Sequence, residues 1–173
     1  MLLSKLAETE ESKDPQELKR ELDELEIQMF RIQQNMKDIA KKRQVLGIDQ
    51  AKDDNWVIVS AVDDGNICKV MLNECSRSFR GSWDFSIHAE YRDKNTIHIG
   101  DIRGPEGKGY GTVLMDHLKE IARDQNIQYI TGDIAARDWD HVDRLEHFYT
   151  KHNFEIDLDF ENKSGKIEWT DMN

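Results

Sequence analysis

A chain of 173 residues with 38% hydrophobic and 34% charged residues is long enough for one cored domain with a helical appendage, and too apolar to stay disordered. Its net charge of −11 sits mainly in the second part: residues 1–50 hold 9 basic and 11 acidic residues, residues 51–173 hold 15 and 24. Such a surface repels phosphate backbones and argues against direct nucleic-acid binding, though it would attract a cationic amine as readily as it aids solubility.

Met1-Leu2-Leu3 passes at once into Ser4-Lys5 and an acidic run, so no signal-peptide core develops. No later run is apolar enough to span a bilayer, and a cytoplasmic location without membrane contact is expected.

From Leu18 the apolar residues recur as Leu22, Leu25, Met29, Ile32, Met36 and Ile39, continuing to Arg43 and Leu46 in alternating steps of four and three. That is a heptad seam. Asp14 is the expected N-cap, Pro15 suits the first helical position, Glu17 stands at the capping-box position, and Gly47 supplies a stop. A helix from Pro15 to Leu46 would be about 48 Å long. Its narrow seam and charged flanks suit self-association, the alternative being packing along its own domain.

Residues 47–55 are polar and aperiodic and read as a linker, which divides the chain into an N-terminal amphipathic helix over 1–49 and a domain over 50–173. Strands are expected over Trp56–Val62, Ile67–Asn73, Trp83–Tyr91 and Thr96–Ile102, the first two joined by the Asp64-Gly65 turn. Cys68 and Cys75 complete neither a disulfide framework nor a zinc set; they are expected reduced, in or near strands, and no metal is required.

After Gly104 the period changes to a helix from Tyr110 to about Asp124. A short strand Gln128–Ile134, a helix Val142–His152 and strands Phe154–Phe160 and Lys166–Thr170 follow. The fold class is therefore α/β (α+β), a mixed sheet flanked by helices. The run Arg137-Asp138-Trp139-Asp140-His141 reads as acidic caps ahead of a helix rather than as a metal cluster.

The most informative stretch is Thr96 to Leu118, where an apolar strand runs through glycines directly into a helix. Gly107, Gly109 and Gly111 leave backbone N–H groups uncovered at a helix N-terminus, where they and the dipole can grip a pyrophosphate. The spacing of Gly107-Lys108-Gly109-Tyr110-Gly111 fits neither a dinucleotide fingerprint nor a Walker loop.

Glu106-Gly107-Lys108-Gly109-Tyr110-Gly111 resembles the coenzyme A motif of the GNAT (Gcn5-related N-acetyltransferase) family, usually written Gln/Arg-x-x-Gly-x-Gly/Ala. His147-Phe148-Tyr149-Thr150-Lys151-His152-Asn153-Phe154 resembles the family's second signature, a helix ending in Phe-Tyr-x-Lys-x-Gly-Phe. Together they cover about Thr96 to Glu155. The resemblance implies a mostly antiparallel GNAT-like sheet and an acetyl-CoA-dependent N-acetyltransferase acting on a primary amine by direct attack. It implies that amides of Gly107, Lys108, Gly109, Tyr110, Gly111 and Thr112 hold the pyrophosphate and that Ile102 runs beside the pantetheine arm. Gly100 would present an amide to the thioester carbonyl, and Tyr149 would protonate the departing thiolate.

Candidates for the base are Asp101, His98, Glu90 and His88. Thr96 occupies the family's acid–base position, which also allows a relay through ordered water. Arg137 or His141 could touch the coenzyme's phosphates. The other function class compatible with the residues is a noncatalytic coenzyme-binding or coiled-coil adaptor domain.

Overall fold

The computed structural model describes residues 13–172. The long helix α1 (Pro15–Ala40) starts as expected: the Asp14 side chain accepts from the Gln16 N–H, with Pro15 first and Glu17 in the opening turn. It ends six residues earlier than the seam suggests. Strand β1 (Gln44–Ala51) takes the place of the last helical turn and of the linker, pairing antiparallel with β2 (Asn55–Asp63) from Gln44↔Ala61 to Ala51↔Asn55. The strand crosses the expected domain boundary at 49/50.

Arg43 explains the early end of the helix. Its guanidinium donates to Asn73 Oδ1 (3.2 Å) and lies 5.3 Å from the Phe79 ring, so the chain is held at the sheet where the seam would need an apolar side chain. Leu46 continues the heptad spacing only by coincidence. It packs against the main core from β1, beside a register shift between Val45 and Gly47.

The remaining elements are β3 (Ile67–Glu74), β4 (Phe85–Asp93), β5 (Thr96–Arg103), α2 (Tyr110–Asp124), β6 (Tyr129–Ile134), α3 (Val142–Lys151), β7 (Glu155–Asp159) and β8 (Ser164–Thr170). The segment Ala136–His141, read from sequence as acidic caps, forms a 3-10 turn into α3 in which Asp138 accepts from the Ala135 N–H (3.4 Å). Among the described residues eight strands form one sheet in the order β1-β2-β3-β4-β5-β6-β8-β7, in which only β5 and β6 pair in parallel.

Alternation along the strands sends side chains to two different layers. On one face Val57 and Val59, Ile97 and Ile99, and Ile130 and Ile134 join Tyr110, Leu114 and Leu118 of α2 and Tyr149 of α3 in the main core. On the other face Ile58 and Cys75 meet Ile39 of α1, with Ile32, Met36, Val45 and Phe79 around them. Helix α1 thus covers β1 and β2, and among the described residues the second half of that face, β5 to β8, carries His98, Thr131, Asp133, Lys166, Glu168, Glu155 and Asp157 instead of a helix.

Cys68 and Cys75 are free and buried, and burial pushes both thiols up to about 11, so they are packing groups. Among the described residues no helix is long and apolar enough to cross a membrane.

Candidate active site

The site begins where two parallel strands part. β5 and β6 pair from Thr96↔Tyr129 to Ile99↔Gly132 and no further, although β5 continues to Arg103 and β6 to Ile134. Gly132 sits at the fork because a Cβ there would fall 2.9 Å from Ile167 Cδ1. On the other side of β5 the register against β4 shifts from His88↔Asp101 to Ala89↔Ile99, which leaves Gly100 as the extra residue of a bulge. A bulge disrupts the ladder locally, and this one sets Gly100 beside the fork.

The chain then turns through glycines into α2. Gly107 and Gly109 both have φ 75°, in the left-handed region that favours glycine, and Gly109 is the N-cap of the helix. Left-handed residues alternating with right-handed ones turn successive N–H groups toward one point. The first N–H groups of a helix have no partner inside it. Among the described residues, no acceptor outside the helix takes an N–H from Gly107 to Thr112 either. Gly111 lets the helix end approach α3, since a Cβ there would lie 3.2 Å from Phe148 Cε2.

The cleft is a cavity of about 490 Å³ whose walls include Gly100, Asp101, Ile102, Gly107, Gly109, Tyr110, Gly111, Thr112 and Tyr149. Lys108 is turned away. Its Nζ lies 3.3 Å from Glu74 Oε1 and 5.8 Å from the Tyr110 ring centroid, and of the expected coenzyme residues it alone does not line the cavity. The Tyr110 hydroxyl is tied to Glu74 and accepts from Asn55 Nδ2 (2.7 Å).

Tyr149 is 7% exposed, stacked edge-on with Phe148 and Phe154, and its ring edges the cavity. Burial, with Asp138 adding to it, pushes its phenol up to about 12, so it carries its proton throughout the neutral range. Asp101 also reaches the cavity, but its carboxylate accepts from Arg103 Nε at 2.5 Å and is held as a charged partner of that side chain.

Two arginines stand at the cleft. Arg137 lines it, as the sequence suggests; Arg144 lines it too and is not apparent from the motif. Arg144 binds Glu106, which stands where the family has Gln or Arg. That pairing neutralises a carboxylate beside a phosphate-sized anion site. The helical spacing Arg144, Leu145, Phe148, Tyr149 was the available signal, since it puts all four on one face of α3.

His98 is the junction of the site. It is 9% exposed and borders both the cleft and a second cavity of about 460 Å³ on the helix-free face, walled also by Arg92, Thr131, Asp133, Lys166 and Glu168. Its Nδ1 lies 2.8 Å from Thr131 Oγ1 and its Nε2 3.3 Å from Asp133 Oδ2. The other sequence candidates for a base stand on β4: Glu90 is in register with His98, and His88 with Asp101. His141 caps α3 and Thr96 pairs with Tyr129 at the far end of the parallel ladder.

Behind the cleft, His152 ties α3 to α2. It is 5% exposed, its Nε2 is 3.2 Å from Thr112 Oγ1, and its carbonyl accepts from the buried Lys119. Burial, reinforced by Lys119, lowers its pKa below the ordinary 6.5, against the opposing pull of Asp116. The unfolded chain therefore binds this proton more readily than the folded one. Stability from this residue is complete above about pH 6.5 and declines as pH falls through 6.5 toward the lower native value. In His152→Gln the plot of Tm against pH should flatten below 6.5 relative to wild type; equal slopes would remove His152 from the acid response.

An eight-stranded sheet forked at its parallel pair, with a glycine turn feeding a helix at the fork, is the GNAT fold. The crystal structure of the GNAT domain of S. lividans PAT matches it over 72% of this chain and 96% of that one, at a TM-score of 0.56 and 7% sequence identity. A GNAT family acetyltransferase from Elizabethkingia anophelis, solved with acetyl-CoA bound, matches over 66% of this chain and 97% of that one, at a TM-score of 0.49 and 9% identity. No protein-family model matches the chain. The uncharacterized Bacillus subtilis protein YocC is 54% identical over 164 residues, covering 95% of this chain and 99% of YocC. The chain belongs to the YocC family.

Proposed function

We propose that the protein is an N-acyltransferase that carries acetyl from acetyl-CoA to a primary amine, with the coenzyme in the forked cleft and the amine arriving from the helix-free face. The observation that carries this reading is the set of unpaired N–H groups from Gly107 to Thr112 at one end of a cleft that reaches Gly100 and Tyr149. Those donors and the α2 dipole suit a pyrophosphate, and Arg137 adds charge for the remaining phosphate. Bound acetyl-CoA would supply an activated acetyl group as its thioester.

The residues then divide the work. The Gly100 N–H donates to the carbonyl oxygen, where negative charge develops as nitrogen attacks. The ammonium first gives a proton to Thr131 Oγ1, whose own proton passes to His98 Nδ1 2.8 Å away, and the neutral amine then attacks. The imidazolium formed there is held by Asp133 at Nε2 and by Thr131 at Nδ1. His98 is favoured over Asp101 because the latter is already tied to Arg103. As the carbon–nitrogen bond forms and the carbon–sulfur bond breaks, the Tyr149 phenol delivers its proton to the sulfur and is restored by the second proton that the acylated nitrogen sheds.

Release of free thiol from acetyl-CoA, followed across a panel of amines, tests the reading. Amine-dependent release supports it. Saturable coenzyme binding without release from any amine would instead make this a noncatalytic coenzyme-binding domain. His98→Gln is expected to lower the rate by about 10² or more while sparing coenzyme affinity. An unaltered rate would remove His98 from proton transfer.

A further inference from the structure

The seam of α1 is used twice over, and only half of it is filled. Its C-terminal residues Ile32, Met36 and Ile39 pack on Ile58, Cys75, Val45 and Phe79. Arg31 and Asn35 donate to the carbonyls of Ser76 and Arg77 at 2.9 and 2.7 Å. The N-terminal seam residues Leu18, Leu22, Leu25 and Met29 are 47%, 60%, 54% and 60% exposed. Residues 15–30 therefore form an arm about 24 Å long standing off the sheet. A helix of that length is marginal in water on its own, and an apolar stripe along it needs a cover.

We infer that the cover is the same arm of a second copy of this chain, running antiparallel. Two observations select that occupant and its direction. First, a parallel helix in register would have to continue along Ile32 to Ile39, where the chain's own sheet already lies. An antiparallel copy overlaps along the arms alone and carries its sheet off beyond the opposite end. A two-fold axis between Leu22 and Leu25 sets Leu18 against the second copy's Met29 and Leu22 against its Leu25, each twice, so every layer is apolar and the patch is self-complementary.

Second, the charges that flank the seam agree with that direction. With Leu22 and Met29 at a and Leu18 and Leu25 at d, Lys19 and Glu26 fall at e and Glu21 at g. Antiparallel packing brings Lys19 to the second copy's Glu26 on both sides of the axis. Parallel packing would set Glu21 against the second copy's Glu26, like against like.

Sedimentation equilibrium of the full chain tests this. The inference expects reversible dimerisation of the 20.3 kDa chain. Leu22→Glu with Leu25→Glu should yield a folded monomer, because both side chains are exposed in the single chain. Lys19→Glu and Glu26→Lys should each raise the dimer Kd at least about fivefold, and the double reversal should restore it. A monomer at every concentration, or an unchanged dimer in the Leu22/Leu25 variant, would overturn the inference. Tighter association in Glu26→Lys alone would also overturn it, since that is the signature of a parallel pair.

Discussion

In the Gly107→Val variant, calorimetric titration with acetyl-CoA is expected to show binding at least about 100-fold weaker than wild type, with the sheet still folded. Gly107 has φ 75°, and a Cβ built on it meets nothing within 4 Å. The substitution therefore meets no packed neighbour and costs about 1–2 kcal/mol of left-handed strain. What it does change is the space in front of the loop's N–H groups, where a branched side chain would stand in place of the pyrophosphate. Gly104 is the useful contrast. A Cβ there would lie 2.3 Å from Phe85 Cδ2 and 2.9 Å from the Asp84 carbonyl, so Gly104→Val should lower Tm rather than affinity alone. Unchanged affinity in Gly107→Val would show that the pyrophosphate does not lie on this loop.

Tyr149→Phe is the second large effect: turnover falls about 10²-fold or more, while coenzyme affinity and Tm stay close to wild type. The ring keeps its edge contacts with Phe148 and Phe154, and only the hydroxyl is lost. Burial holds that phenol at about 12, which keeps it protonated and able to donate to a departing thiolate. A rate loss matched by an equal loss of coenzyme affinity would make Tyr149 a binding residue. An unchanged rate would take it out of the reaction altogether.

Much of the architecture is written locally. The glycine turn into α2, the Asp64-Gly65 hairpin and the α3 signature each consist of contiguous residues whose types dictate their backbone, and all appear within a few residues of where the pattern puts them. Strand β1 was hidden because Arg43 and Leu46 extend the heptad spacing, whereas Arg43 packs on Asn73 and Phe79 just ahead of the strand and Leu46 lies within it. Length misled in the same place: the seam looks like one continuous surface, yet half of it serves the chain's own core.

The site was partly legible for the same reason. Gly100, Ile102 and the loop amides lie in one stretch of chain, whereas His98 gains its meaning from Thr131 and Asp133, more than thirty residues away and one strand over. Arg144 likewise acquires a role only through Glu106, across the cleft. Such pairings depend on register between strands and helices, and no local pattern encodes them.

The central claim is that the fork between β5 and β6 holds acetyl-CoA with its reactive end at the junction of the two cavities. A crystal structure of the protein with acetyl-CoA tests it most directly. The account predicts pyrophosphate density against the amides of Gly107 to Thr112, with the thioester between Gly100 and Tyr149 and the acetyl group facing His98. Density for the coenzyme elsewhere on the chain, or a pyrophosphate bound with its thioester pointing away from Gly100, would contradict it.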